Sequence, residues 1–185
     1  MTSRQCFRAS RPFWTQQEIP RPKNKRKRKT HYSGKKKKHA VKTQITVNKA
    51  GLIVHKTTHA VGSTHDYALF KHNHPRLPDE APLSMDLGYD GVQSDYPKLN
   101  CLVPFKRRSP SRGKRGIKGQ ELSVEQKAFN KALAKERVVV EHTNSRVKKF
   151  RIFGDEFRNR LKHYNIMTDV VCGLVNFRIA GTLII

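Results

Sequence analysis

A long, largely polar helix, predicted from Ser123 to about Phe150, limits what this chain can fold into. Ser123 is followed three residues later by Gln126, which is the spacing of a capping box that opens a helix. Residues 138–140, near the far end of the helix, are three valines. Because a largely polar helix is stabilised mainly by packing its apolar residues on another element, the valines favour a sheet as its partner. The sequence therefore predicts a long helix that lies against a β-sheet.

Alternation of apolar and polar residues predicts the strands of that sheet. The strands are expected at residues 43–47, 52–57, 83–87 and 101–103, with one more before Ile19. The first two are separated by Asn48-Lys-Ala-Gly51, which is a hairpin signal. Shorter helices are expected at residues 65–70, 155–164 and 167–177, the first with Thr64 or Ser63 as its N-cap. This order predicts an α/β fold with a mixed β-sheet flanked by helices.

The excess of positive charge limits the kinds of partner that this chain can have. The chain has 39 lysines and arginines against 14 acids, a formal net charge of +25, and only 36% of its residues are hydrophobic. Such a charge opposes compaction unless a polyanion neutralises it, and nucleic acid does so through its phosphates. Ribosomal and histone-like proteins share this charge, so it does not separate an enzyme from a binding protein. The cations concentrate in a basic arm, residues 21–42, and a flexible basic loop, residues 105–121.

Two features bear on the compartment. Cys6, Cys101 and Cys172 are far apart and form no CxxC pair, so a reducing interior is expected rather than a disulfide scaffold. The apolar segment 170–185 carries Arg178 and is too short to span a bilayer. The sequence therefore predicts a cytoplasmic protein without a membrane segment.

One face of the long helix carries a carboxylate between two cations. At about 100° per residue, Arg137, Glu141 and Lys148 fall within roughly 60° of one another. A carboxylate can hold a divalent metal ion, and flanking cations can hold phosphate oxygens. The alternative is a solvated ladder of salt bridges. Asp86 ends a predicted strand just before Gly88, where it offers a second carboxylate or else forms a turn.

Six segments of the chain, in order, carry a family resemblance. They are Ile19-Pro-Arg-Pro22; His31-Tyr-Ser-Gly34-Lys35-Lys36-Lys37-Lys38-His39-Ala-Val-Lys42; Gly62-Ser-Thr-His65-Asp66-Tyr-Ala-Leu-Phe70; Asp86-Leu-Gly-Tyr89-Asp-Gly91; Arg137-Val-Val-Val-Glu141 through Lys148-Lys149-Phe150; and Phe157-Arg-Asn-Arg160. In this order they resemble the C-terminal catalytic portion of DDE-type bacterial insertion-sequence transposases, of the insertion-sequence four/five group. The resemblance implies an RNase H-like fold.

The same resemblance implies a metal-dependent DNA site. These transposases use two Asp and one Glu to bind two Mg²⁺ (or Mn²⁺) ions for hydrolysis and strand transfer at a DNA phosphodiester. Asp86 matches the second carboxylate and Glu141 the third, while Arg137 and Lys148 match the family's cations and Ala134 replaces its Tyr. The resemblance also assigns DNA-binding lysines and one further motif: Lys35, Lys36, Lys37, Lys38, Lys42 and Lys149, and the pair His65 and Asp66.

The first carboxylate is where this sequence departs from the family pattern. Register from Ile19 through Thr15 places Phe13 at the Asp position and Gln16 at that of the following Glu. We therefore expect an N-terminally truncated domain whose sheet is incomplete at its first strand. The expected divisions are a non-matching segment 1–18, a partial RNase H-like DDE domain 19–178 and a tail 179–185.

A site without its first Asp predicts impaired chemistry, so this chain alone is not expected to cut or join DNA. The expected partners are the DNA of insertion-sequence ends and target, and either a second copy or a full-length transposase. The expected location is the nucleoid. Two alternatives stand beside this prediction: a non-catalytic basic protein that binds DNA or RNA, and an inhibitor of a full-length transposase.

Overall fold

The protein is described by a computed structural model that covers residues 11–20, 22–34, 36–75, 81–89, 91–106 and 121–183. Its strands are β1 (Arg11–Glu18), β2 (Tyr32–Ser33), β3 (Lys38–Val47), β4 (Ile53–Lys56), β5 (Ala60–Val61), β6 (Leu83–Ser84) and β7 (Cys101–Leu102). Its α-helices are α1 (Lys25–His31), α2 (Asp66–His72), α3 (Val92–Asp95), α4 (Val124–Lys148), α5 (Arg151–Gly154) and α6 (Tyr164–Leu183). Most of the basic loop, and Lys35, lie outside the described residues.

Strand β3 is the centre of a five-stranded sheet. β1, β2, β4 and β5 all pair with it in antiparallel fashion. β6 and β7 form a separate parallel pair, and β6 lies beside β1. The larger sheet is thus antiparallel and the smaller one parallel, and the predicted α/β fold, with β-strands flanked by helices, is confirmed.

The first strand differs from the expectation. Rather than being incomplete, β1 spans Arg11–Glu18 and pairs along its whole length with β3, from Arg11 opposite Val47 to Glu18 opposite Ala40. The departure from the family pattern thus concerns the residue at position 13 and leaves the strand in place.

The two faces of the sheet are covered by different helices. On one face, Ile45 and Val47 pack in a buried cluster with Val140 of α4 and Val175 of α6. On the other face, the amide of the buried Gln44 donates a 2.9 Å hydrogen bond to the Tyr89 hydroxyl. Alternate residues of β3 point to opposite faces, so this one strand anchors both layers.

The predicted helix over residues 155–164 is wrong. After the single turn of α5, the Phe157 amide donates a 2.8 Å hydrogen bond to the Glu18 carbonyl, which holds the segment against the end of β1. The buried Phe157 ring packs edge-on against Tyr164, with 5.0 Å between ring centroids. These contacts join residues that are far apart in the sequence, and α6 begins only at Tyr164.

Among the described helices none has the length and apolar character needed to cross a membrane.

Two local features differ from the sequence predictions, which included no helix in the basic arm and a different N-cap for α2. Part of the basic arm is the helix α1, because the Asn24 side chain accepts hydrogen bonds from the amides of Arg26 and Lys27 and so caps its first turn. The N-cap of α2 is His65, whose ring nitrogen Nδ1 accepts from the Tyr67 amide at 3.3 Å, rather than Thr64 or Ser63.

The strand expected over residues 83–87 is shorter than predicted. β6 ends at Ser84, and a 3-10 turn, Leu87–Tyr89, follows after Met85 and Asp86. The Tyr89 amide donates to the Asp86 carbonyl at 3.0 Å, which bends the chain away from the strand direction. Asp86 therefore lies at a strand end that turns sharply.

Candidate active site

Helix α4 presents one stripe of side chains to the sheet and to α6. Its buried residues are spaced by seven, three and four positions, which places them on one face of the helix: Leu133, Val140, Thr143 and Val147. The Thr143 hydroxyl donates a 2.9 Å hydrogen bond to the Gly51 carbonyl, which fixes the helix on the β3–β4 turn. The predicted site residues of α4 lie beside this stripe.

Asp86 lies just beyond β6 and is exposed. Its Oδ1 atom accepts a 2.9 Å hydrogen bond from the amide of Leu87. The side chain therefore caps the turn that follows the strand, and the turn-forming role expected as an alternative is present. That role leaves the carboxylate at the surface.

A second carboxylate contact joins β6 to α4. The buried Ser84 hydroxyl donates a 2.6 Å hydrogen bond to Glu136 Oε2. Ser84 therefore faces α4, and Asp86 lies two residues further on, where the chain leaves the strand. Sequence reasoning missed Glu136, although its spacing from Leu133 and Val140 places it on the buried stripe of the helix.

Glu141 lies on the flank of α4 that faces away from the β3–β4 turn. Val139 faces the β3–β4 turn, because a Cβ atom built at Gly51 would lie 3.6 Å from its side chain. Glu141 comes two residues later, and two residues turn a helix by about 200°, so Glu141 is on the opposite flank. Glu141 Oε1 is 3.2 Å from Arg137 Nε, and both side chains are more than half exposed. The expected salt bridge is thus present, and exposed pairs at this spacing contribute only about 0.3–0.5 kcal/mol.

Position 13 lies within β1, opposite Ile45 of β3. Ile45 is fully buried and belongs to the same core cluster as Val140, the residue before Glu141. The backbone at position 13 and the Glu141 turn of α4 therefore border the same part of the core.

The predicted DNA-binding lysines have different surroundings. Lys42 is largely buried, and its ammonium donates to the Thr64 carbonyl at 2.7 Å and to Asp66 Oδ1 at 3.0 Å. Lys38 Nζ lies 2.6 Å from Glu18 Oε2. Lys42 and Asp66 thus fix the start of α2 to β3, and His65 caps the same helix. The remaining described lysines of the set are exposed at the surface: Lys36, Lys37, Lys148 and Lys149.

The side chains present do not fit a complete site for two divalent cations. Such cations take about six or more oxygen ligands, which protein carboxylates anchor. Phe13 offers no oxygen, and within the described parts of the chain no three His, Cys, Asp or Glu side chains lie close enough to hold a metal ion. Asp86 and Glu141 would supply at most two of the three carboxylates that the family pattern requires.

The chain is similar to known proteins over most of its length. A family described as DDE superfamily endonuclease matches residues 14–176. A relative from Microchaete diplosiphon, named "Probable transposase for insertion sequence element IS702", is 31% identical over 166 residues. The match covers 90% of this chain and 55% of the relative, so the chain spans about half the relative's length. No solved structure gives a significant match.

Proposed function

The chain belongs to the DDE superfamily endonucleases, and on that premise we propose that it is the DNA-processing domain of an insertion-sequence transposase with an incomplete carboxylate site. The observation that carries the proposal is the residue at position 13. The β1 strand that should present the first Asp is intact, but Phe13 stands at that position. The scaffold is retained while one ligand is lost.

Two contacts support a common location for the remaining parts of the site. The Ser84–Glu136 hydrogen bond joins the strand leading to Asp86 with α4. The Ile45–Val140 packing brings α4 to the part of the sheet that contains position 13. We therefore propose that Asp86 and Glu141 face a shared groove, with Arg137 and Lys148 beside it to attract phosphate oxygens.

The residues present define what this groove can do. Its exposed cations can bind the DNA backbone without reading its sequence. Arg137 holds the Glu141 carboxylate in place, which orients that carboxylate on the flank of the helix. A divalent cation would supply charge stabilisation to a phosphodiester when bound, but the present carboxylates are too few to anchor it. The domain is thus expected to bind DNA and not to cut it.

The proposed partners follow from the substrate. DNA of insertion-sequence ends and target is the polyanion that a charge of +25 requires, and the nucleoid is the corresponding location. A second copy or a full-length transposase would supply a complete site in a mixed assembly.

A plasmid-nicking assay tests the proposal. The purified chain is incubated with supercoiled plasmid and Mg²⁺ or Mn²⁺, alongside Glu141→Gln and Asp86→Asn. We expect all three proteins to bind the plasmid and none to nick it above background. Metal-dependent nicking by the unchanged chain that disappears in both variants would show that the site is complete without Asp at position 13.

A further inference from the structure

Helix α6 buries one side against the core and leaves an apolar side exposed. Val171, Val175 and Ile179 pack in the core cluster with residues of β3 and α4. The large side chains on the opposite side are 46–78% exposed: Ile166, Val170, Leu174 and Phe177. Together they leave roughly 400–500 Å² of apolar surface uncovered, which is the size of the largest patch on a typical monomer and is often functional.

The exposed face of α6 is continuous and uncharged. Gly173 and Gly181 lie on it as well, with nothing within 4 Å of the position that a Cβ atom would take. At about 100° per residue, these two glycines and the four large residues fall within an arc of roughly 100°. The two charged residues of α6, Asp169 and Arg178, lie just beyond the opposite edges of that arc. The exposed face is thus an apolar strip that follows the helix and is bordered by charges.

The residues of this face are spaced symmetrically about the middle of the helix. Because α6 runs from Tyr164 to Leu183, its midpoint falls between Gly173 and Leu174. Reversing the helix about that midpoint exchanges Gly173 with Leu174, Val170 with Phe177, and Ile166 with Gly181. Two of the three exchanges place a large side chain opposite a glycine. A two-fold interface presents the same patch from both subunits, so a face that matches its own reversed copy suits a second molecule of this chain.

Electrostatics favour this face over other parts of the surface as a contact between copies. With a net charge of +25, two copies of the chain repel each other. The exposed face of α6 carries no charged side chain, so its removal from water is favourable and brings no cations into contact. Antiparallel helices also place the positive end of one helix dipole beside the negative end of the other.

We propose that the chain forms a two-fold dimer in which the exposed face of α6 pairs antiparallel with the same face of a second copy. With the flanking side chains, two copies would bury roughly 1,000 Å², which reaches the lower bound for a specific interface. A dimer that dissociates on dilution is therefore expected. The pairing does not depend on the proposed function, because it uses neither the carboxylates nor the cations assigned to that site.

Sedimentation equilibrium across a wide range of protein concentration tests the dimer. We expect a monomer–dimer equilibrium that tightens as added salt screens the repulsion between copies, whereas an assembly bridged by residual nucleic acid would weaken with salt. Leu174→Gln/Phe177→Gln should weaken dimerisation at least about tenfold. Val124→Gln/Val138→Gln, which replaces two exposed valines of α4, is the matched control and should change it by less than about twofold.

Cysteine cross-linking tests the direction of the pairing. The background is Cys6→Ser, because Cys101 and Cys172 are buried. Leu174→Cys lies beside the two-fold axis, so its two copies should come within the Cα separation of about 7 Å that a disulfide allows. Ile166→Cys should not cross-link, because antiparallel pairing separates its two copies by about 22 Å along the helices.

Three results would overturn the dimer. They are a chain that stays monomeric at every concentration and salt, equal weakening in the two double variants, and cross-linking of Ile166→Cys in place of Leu174→Cys. A monomeric chain that co-sediments with phosphatidylcholine vesicles would overturn it in favour of a lipid surface. Metal-dependent nicking by the unchanged chain would contradict the proposed function while leaving the dimer intact.

Discussion

The Ser84 hydroxyl donates a 2.6 Å hydrogen bond to the Glu136 carboxylate, and this contact joins the strand that leads to Asp86 with the helix that carries Glu141. Ser84 is fully buried, whereas Glu136 is partly exposed. Hydrogen bonds to charged groups are stronger than neutral ones, so the pair can fix the spacing between strand and helix. The position of β6 against α4 therefore depends on a residue outside the family's signature.

Removing the Glu136 carboxylate should destabilise the fold. Glu136→Ala leaves the buried Ser84 hydroxyl without its acceptor, which costs about 1–3 kcal/mol. The free energy of unfolding in urea measures the loss. Lys135→Ala, at the exposed neighbouring position, is the control and should change it by less than about 0.5 kcal/mol. Equal effects of the two substitutions would show that the Ser84–Glu136 contact contributes nothing particular.

Gly51 is expected to tolerate no side chain. Its φ of +82° is in the left-handed region, and a Cβ atom would lie 3.0 Å from Thr143 Oγ1, the atom that donates to the Gly51 carbonyl. Gly51→Ala should therefore lower the free energy of unfolding by about 1–3 kcal/mol. Gly173→Ala provides a control of opposite sign, because Gly173 is in α6 with open space around it. Alanine there should stabilise the helix by about 0.5–1 kcal/mol. Stabilisation by both substitutions would contradict the described turn.

His55 should make the fold sensitive to mild acid. Burial lowers the pKa of its imidazole below the ordinary 6.5, and the positive charges of His74 and Lys56 add to this, whereas a hydrogen bond between the imidazole and the Asn73 side chain raises it. Between the folded pKa and 6.5, the unfolded chain binds more protons than the folded one. The stability that His55 contributes is thus complete above pH 6.5 and falls as the pH drops through 6.5 toward the folded pKa.

Urea unfolding between pH 7.5 and pH 5 checks this. His55→Gln should flatten the loss of stability over that range, whereas His142→Gln, at an exposed position of α4, should not. An unchanged pH profile in His55→Gln would mean that this imidazole is not responsible.

The sequence predicted those parts of the structure that local signals determine. α4 has its capping box, since the Ser123 hydroxyl accepts from the Gln126 amide at 3.1 Å and the Gln126 side chain accepts from the Ser123 amide at 3.1 Å. α1 was not predicted, because its N-cap, Asn24, is followed by a run of lysines and arginines that has no apolar periodicity to indicate a helix. Segment 155–160 was misassigned because its conformation depends on the distant contact from Phe157 to Glu18.

The candidate site divides in the same way. Motif spacing indicated Asp86 and Glu141, and both stay predictions, while β1 places the backbone of position 13 opposite Ile45. The spacing of Glu136 could have placed it on the buried face of α4, but only the folded chain shows that Ser84 is its partner.

The most direct test of the incomplete carboxylate site is Mn²⁺ binding by Phe13→Asp, measured by titration calorimetry at constant pH. Phe13→Asn is the matched control, because asparagine has nearly the same size as aspartate but no carboxylate. Loss of even an outer-shell partner lowers metal affinity about 10–100-fold, so a restored ligand should raise it by at least that much. We predict tighter Mn²⁺ binding in Phe13→Asp, no gain in Phe13→Asn, and loss of the gain when Glu141→Gln is added. Folded Phe13→Asp protein that binds Mn²⁺ no better than the unchanged chain would contradict the placement of position 13 beside Asp86 and Glu141.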